Sequence, residues 1–270
     1  LGDGFNAENI SNGDYLRVMN EQMERFFDIE PYRTYRDYFN VSTAIAVSQE
    51  SGIGTVNTIR RTKFETTFAG GVGLRGDYSA IFDYAMKVSS VDESNLNQSL
   101  IIVTPNTIDY GGITEMWEDG SAIAFCPLSE DTYPYDARGI IQHEAGGHGF
   151  GKLGDEYIYH NGFIEFCCPL DFATLNYGKS LGWYENLSLT GKMHEVPWSH
   201  LIFDDRYSDV VDIYEGGFMH SRGVFRSEQN SCMNNNISYF SAISREAIVK
   251  RIMEYAGESY SFEKFVENDK

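Results

Sequence analysis

At 270 residues with 42% apolar side chains, the chain is long enough for one large domain with a sizeable core. Its net charge of -19, with no cluster of Lys and Arg to offset it, argues against nucleic acid or a membrane surface as a partner. No apolar run approaches the roughly 20 residues of a membrane span, and four cysteines are too few for a disulfide scaffold at this length.

The chain opens at Leu1 with neither an initiator Met nor a signal-peptide pattern, which reads as a processed or trimmed end. Asp14 to Asp28 carries Leu16, Met19, Met23, Phe26 and Phe27 at helical spacing, and Pro31 stops it. Val41 to Val47 and Thr62 to Phe68 read as strands, with Gly70, Gly71 and Gly73 as a breaker. Asp77 to Val91 is an amphipathic helix, and Ser99 to Thr104 is a short apolar run of the buried-strand kind. Strand, helix, strand is the order of an α/β or α+β sandwich. Ser121 to Cys126 adds a strand that could serve as an edge for an extended substrate. Tyr135 to Lys152 follows as a helix, 155–208 as an irregular stretch with short helices, and Asp209 to Tyr214 and Gly223 to Arg226 as short strands. Tyr239 to Tyr255 closes the chain as a helix, apolar at Phe240, Ile243, Ala247, Ile248 and Ile252. The whole reads as one domain, with an upper lobe of about 1–152 and a lower lobe of about 153–270. Cys126, Cys167, Cys168 and Cys232 read as free thiols, since the adjacent pair bridges only with strain; pairing of either with Cys126 or Cys232 stays open.

The chemistry concentrates in HEAGGHGFGKLGDEY, residues 143–157. A catalytic zinc ion takes three protein ligands and leaves the fourth position to water. His143 and His148 supply two ligands, and Glu144 is the general base beside the first. The spacing is HExxxH, one residue longer than the usual HExxH. On an ideal α-helix an i, i+4 pair is offset by about 40°, but an i, i+5 pair by about 140°, too far for one ion. A π-bulge absorbs the extra residue, and Gly146 and Gly147 make such an irregular turn cheap. Two glycines inside a helix cost about 0.8 to 1 kcal/mol each, a local rule broken at a place where function would repay it. The third ligand should be Asp155 or Glu156, delivered after a turn at Gly151 or Gly154; Asp155 is preferred, and Glu156 is the alternative ligand or a supporting carboxylate.

These residues resemble the IgA-peptidase family of zinc metallopeptidases, whose members carry HExxH, a glycine turn and DEY. The likeness extends to DGF at Asp3 to Phe5, to Ile29 to Val41, and to SEQNSCM at Ser227 to Met233. The local HExxGH spacing is also similar to the zinc site of dipeptidyl peptidase III. The family resemblance implies a metzincin-like catalytic domain: a twisted mixed sheet, an active-site helix and an irregular lower lobe ending in a helix. It implies one catalytic Zn2+, a protein or peptide substrate, Met233 in a methionine-bearing turn, and export to the periplasm, cell surface or medium of a bacterium. Tyr157, Tyr214, His220 and Arg226 are candidates to stabilise the transition state. The expected activity is hydrolysis of peptide bonds by metal-activated water. A catalytically silent binding or adhesion domain, or a zinc exopeptidase or amidase, are the alternatives.

Overall fold

The computed structural model describes residues 1–269 and has the mixed α+β character that the element order predicts. It divides into two compact units, Leu1–Asp28 with Phe39–Phe150, and Ile29–Tyr38 with the chain from Gly151 onward.

The first unit runs β1 (Gly2–Asp3), α1 (Ala7–Ser11), α2 (Asp14–Phe27), β2 (Thr67–Phe68), β3 (Leu74–Arg75), α3 (Tyr78–Ala85), β4 (Leu100–Pro105), β5 (Ile113–Met116), β6 (Ala122–Phe125) and α4 (Ala137–Ile141), and ends in a π-helix, Gln142–Phe150. Its main sheet has the order β1-β4-β6-β5, with β1, β4 and β6 parallel and β5 antiparallel to β6. Ile101 and Val103 of β4 with Ile123 and Phe125 of β6 form a core with Phe64, Leu74 and Ile81. Every residue of β6 is buried, as a strand flanked on both sides should be. The edge role expected for Ser121 to Cys126 is thus overturned: that segment is interior, and β1 and β5 are the edge strands.

Two further strand expectations give way to one buried carboxylate. Asp3 is fully buried and accepts from the Ser48 and Thr62 hydroxyls and from the backbone N–H groups of Phe64 and Thr66. Those N–H groups would otherwise feed a ladder, so only Thr67 and Phe68 of the expected strand 62–68 pair regularly. Between Val41 and Val47 the burial alternates, Ala46 in and Ile45 and Val47 out, yet the segment joins no ladder among the described residues. It is held instead by Ala44 O, which accepts from the Tyr15 hydroxyl at 2.7 Å. Gly4, at φ 76, passes so close to Gly52 that a Cβ would lie 2.4 Å from its carbonyl oxygen. The DGF stretch therefore has a structural reason for both its Asp and its Gly.

The second unit contains β7 (Ile158–Phe163), α5 (Ile164–Cys167), α6 (Pro169–Ser180), β8 (Leu187–Ser188), α7 (Ser199–Ile202), β9 (Tyr214–Gly217), β10 (Met219–Arg226), α8 (Cys232–Asn235), α9 (Ala242–Ala256) and α10 (Phe262–Asn268). β10 is central, parallel to β7 and antiparallel to β8 and β9. The stretch expected to be irregular holds β7, α5, α6, β8 and α7, whereas 209–210 is turn, 211–213 has no regular structure and the strand begins only at Tyr214. All four cysteines are free thiols. No helix among the described residues is long and apolar enough to cross a membrane.

α9 is pinned by Glu246, whose side chain is 3% exposed. Its carboxylate accepts from His200 Nε2 at 2.8 Å and the Tyr260 hydroxyl at 2.7 Å, and Lys250 Nζ lies 3.2 Å away. Burial pushes this carboxyl up, but the bond from His200, the charge of Lys250 and the bond from Tyr260 outweigh it and leave it below its ordinary value. A depressed carboxylate contributes stability above its unfolded pKa and loses it as pH falls through the folded one. Glu246→Gln is expected to cost about 1–3 kcal/mol at neutral pH, with the deficit shrinking below about pH 4; urea melts across that range measure it.

Candidate metal centre

The helix that carries the histidines starts as ordinary α-helix at Ala137, capped by Asp136, whose side chain accepts from Gly139 N at 2.9 Å. From Gln142 it widens into a π-helix of nine residues. The bulge expected from the HExxxH spacing is thus a continuous π segment, with Gly146 and Gly147 buried inside it. Gly149 lets the helix pack closely on the sheet. A Cβ there would stand 2.6 Å from Leu100 Cδ1, so the helix lies against β4 where a side chain has no room. On the other side, Gln142 Nε2 donates to Arg25 O of α2 at 2.9 Å.

The wider turn brings residues five apart onto one face. His143 is 5% exposed and His148 half-buried. Their Nε2 atoms are 3.2 Å apart, with the rings inclined at 80°. Two imidazole nitrogens sharing one tetrahedral zinc ion at 2.0–2.1 Å would stand about 3.3 Å apart, so the pair fits a common ion. Asp155, the third expected ligand, follows His148 by seven residues, just past the start of the second unit. Two nitrogens and one carboxylate oxygen are the donor set of a catalytic zinc site.

Glu144 is held from β5. The Thr114 hydroxyl lies 2.8 Å from Glu144 O and 2.9 Å from its Oε2, and can donate to either. A Cβ on Gly112 would come within 2.9 Å of Glu144 Cγ, so the glycine leaves the space that this side chain occupies. Neither Thr114 nor Gly112 carries a motif, and nothing in the sequence marked either one. Thr114→Val is expected to lower peptide turnover about tenfold by loosening Glu144 while metal content stays at the wild-type level; kcat and metal analysis on the same sample check it.

The two acidic candidates behave differently in the second unit. Asp155 is half-buried, and its carbonyl accepts from Phe218 N at 2.7 Å. Glu156 is fully buried, with Oε1 accepting from Asn186 at 2.9 Å and Oε2 from the Ser231 hydroxyl at 2.6 Å. Burial raises its carboxyl to about 7 against the pull of those two donors. Its backbone N–H donates to Met233 O at 2.8 Å, so Glu156 fastens the turn before it to the start of α8. Asn186 also bonds both backbone groups of Gly154, a clamp that nothing in the sequence flagged.

The remaining candidates are all placed in the second unit. Tyr157 is half-buried with its ring 4.8 Å from that of Tyr159. Tyr214 and Arg226 are register partners on β9 and β10, and Arg226 Nη1 donates to Gly216 O at 2.7 Å. His220, on β10, is fully buried with both ring nitrogens engaged, Nε2 by Asp171 at 2.8 Å and Nδ1 by Cys167 Sγ at 3.5 Å. Met233 is completely buried.

No curated protein matches the chain. The profile of the family described as IgA Peptidase M64 matches residues 1–170, well over half the sequence and all of the HEAGGHGFGKLGDEY stretch. With that match, the chain belongs to the IgA Peptidase M64 family and is a peptidase.

Proposed function

We propose that the chain is a zinc-dependent endopeptidase in which His143, His148 and Asp155 hold one catalytic ion and Glu144 is the general base. The observation that carries this reading is the 3.2 Å separation of the two Nε2 atoms, produced by a π-helix that stability alone would disfavour. The choice of Asp155 over Glu156 rests on the latter's two carboxylate oxygens being occupied by Asn186 and Ser231.

When bound, the ion supplies Lewis acidity and brings the pKa of its water toward 7. Glu144 accepts the proton of the attacking water and passes it to the leaving amine. Thr114 keeps the Glu144 side chain on one rotamer, so the base does not have to be ordered in each turnover. An extended peptide is aligned by pairing with the edge strand β5, which carries Thr114 itself. Tyr157 or Arg226 supplies the donor for the developing oxyanion. The domain is metzincin-like in this reading, and it works outside the cytoplasm, as the family resemblance implies.

The test is cleavage of a mixed peptide library, read by mass spectrometry, with and without 1,10-phenanthroline. Internal cuts that vanish on chelation and return with zinc are the expected result. Cuts confined to chain ends would replace the endopeptidase by an exopeptidase, and cleavage indifferent to chelation would overturn the metal reading.

A further inference from the structure

The second unit gathers a different set of metal-binding atoms. Cys167 Sγ, Cys168 Sγ and a ring nitrogen of His220 all lie within 4.8 Å of one another. The first two sit where α5 ends and α6 begins, and the histidine comes from β10, more than fifty residues later. Cys167 is exposed, Cys168 half-buried and His220 fully buried.

Three features show that this imidazole is aimed. Phe218 and Met219, immediately before it, both have positive φ, at 47° and 68°, a left-handed conformation that non-glycine residues adopt under constraint. The β7–β10 register shifts on both sides of His220, and such irregularities re-aim a side chain. Its Nε2 meets Asp171 Oδ2 at 2.8 Å, the carboxylate contact that fixes the tautomer of a metal-binding histidine and leaves Nδ1 as the ligand atom. That Nδ1 is 3.5 Å from Cys167 Sγ. A thiolate at 2.3 Å and an imidazole at 2.0–2.1 Å on one tetrahedral zinc ion would be separated by about 3.5 Å. β7 lies beside the cluster: a Cβ on Gly162 would stand at ordinary van der Waals distance, 3.5 Å, from Cys167 Sγ.

We propose that Cys167, Cys168 and His220 form a second metal site, distinct in chemistry from the histidine–carboxylate centre, that takes a thiolate-seeking divalent ion such as Zn2+. Asp171 orients His220, and the exposed side, at Cys167, leaves the fourth position to solvent. Two sulfurs and one imidazole select for zinc over magnesium or calcium. A single thiol beside His220 and Asp171 would equally serve a nucleophile, but such a nucleophile has no use for the second sulfur. The ion ties β10 to the corner between α5 and α6.

Cobalt separates the two centres without any mutation, because only this one contains sulfur. The full chain, reduced and loaded with Co2+, is expected to show a near-ultraviolet thiolate-to-cobalt charge-transfer band. The band disappears in Cys167→Ser/Cys168→Ser, and zinc content falls from two ions per chain to one while peptide cleavage persists. Asp171→Asn is expected to weaken cobalt binding about 10- to 100-fold with the band still attainable at saturation. Absence of the band in the wild-type chain, or its persistence in the double serine variant, overturns the site. So does stoichiometric alkylation of Cys167 in zinc-saturated protein, which would point to a nucleophile instead. Loss of the peptidase reading would show separately, as a serine variant with no zinc and no cleavage beside a wild-type chain that keeps its band.

Discussion

Glu144→Ala is expected to lower peptide cleavage by about 10²- to 10⁴-fold with zinc content unchanged, the range that removal of a general acid–base group produces. The split between turnover and metal follows from where the side chain sits. Glu144 is turned to β5, where Thr114 lies 2.9 Å from Oε2 and Gly112 leaves room for its methylenes, while the two imidazoles meet each other. Glu144→Gln keeps the size and the Thr114 contact but cannot accept the proton, so it should be nearly as inactive as alanine. Steady-state kinetics and metal analysis on the same preparations decide the matter. Undiminished cleavage by either variant would remove Glu144 from the mechanism.

His148→Ala is expected to abolish both zinc at the catalytic centre and cleavage. A metal ion contributes several kcal/mol of transition-state stabilisation, and at about 1.4 kcal/mol per tenfold that is a loss of about 10³-fold or more. The variant should fold, since His148 is half-buried and the helix is anchored independently through Gln142 and the packing of Gly149 on β4. Circular dichroism establishes folding, and metal analysis of the catalytic centre gives the result. The same measurement on Asp155→Asn and Glu156→Gln identifies the third ligand. Asp155→Asn should lose zinc, and Glu156→Gln should keep it. Full zinc occupancy in His148→Ala would show that the close approach of the two imidazoles is an ordinary ring contact.

Local pattern carried a long way where the determinant was itself local. α2 was legible from apolar residues at helical spacing, and Asp14–Phe27 forms within a residue of the expected range. The runs around β4 and β6 were legible because a strand covered on both faces is apolar throughout. Val41 to Val47 had equally good β-formers and formed no strand. Strand formation requires a partner, and the neighbouring backbone is bound to side chains instead: Ser48 and Asp3 take N–H groups that a ladder would have used. The edge assignment failed for a related reason, since order within a sheet is set by long-range pairing and β5 carries only four residues of weak pattern.

At the proposed centre, the sequence by itself determined the two histidines, the glutamate between them and the need for a widened helix, because spacing along one helix is a short-range property. Only the tertiary structure decided the rest. It engaged both carboxylate oxygens of Glu156 through Asn186 and Ser231, thirty and seventy-five residues away along the chain, which adds to the preference for Asp155 already read from the sequence. It placed Thr114 against Glu144 by sheet pairing. It brought His220 from a distant strand to two cysteines that the sequence alone read as ordinary thiols. Each of these contacts joins segments whose separation in sequence carries no periodic signal, so their chemistry becomes visible only after the chain has closed on itself.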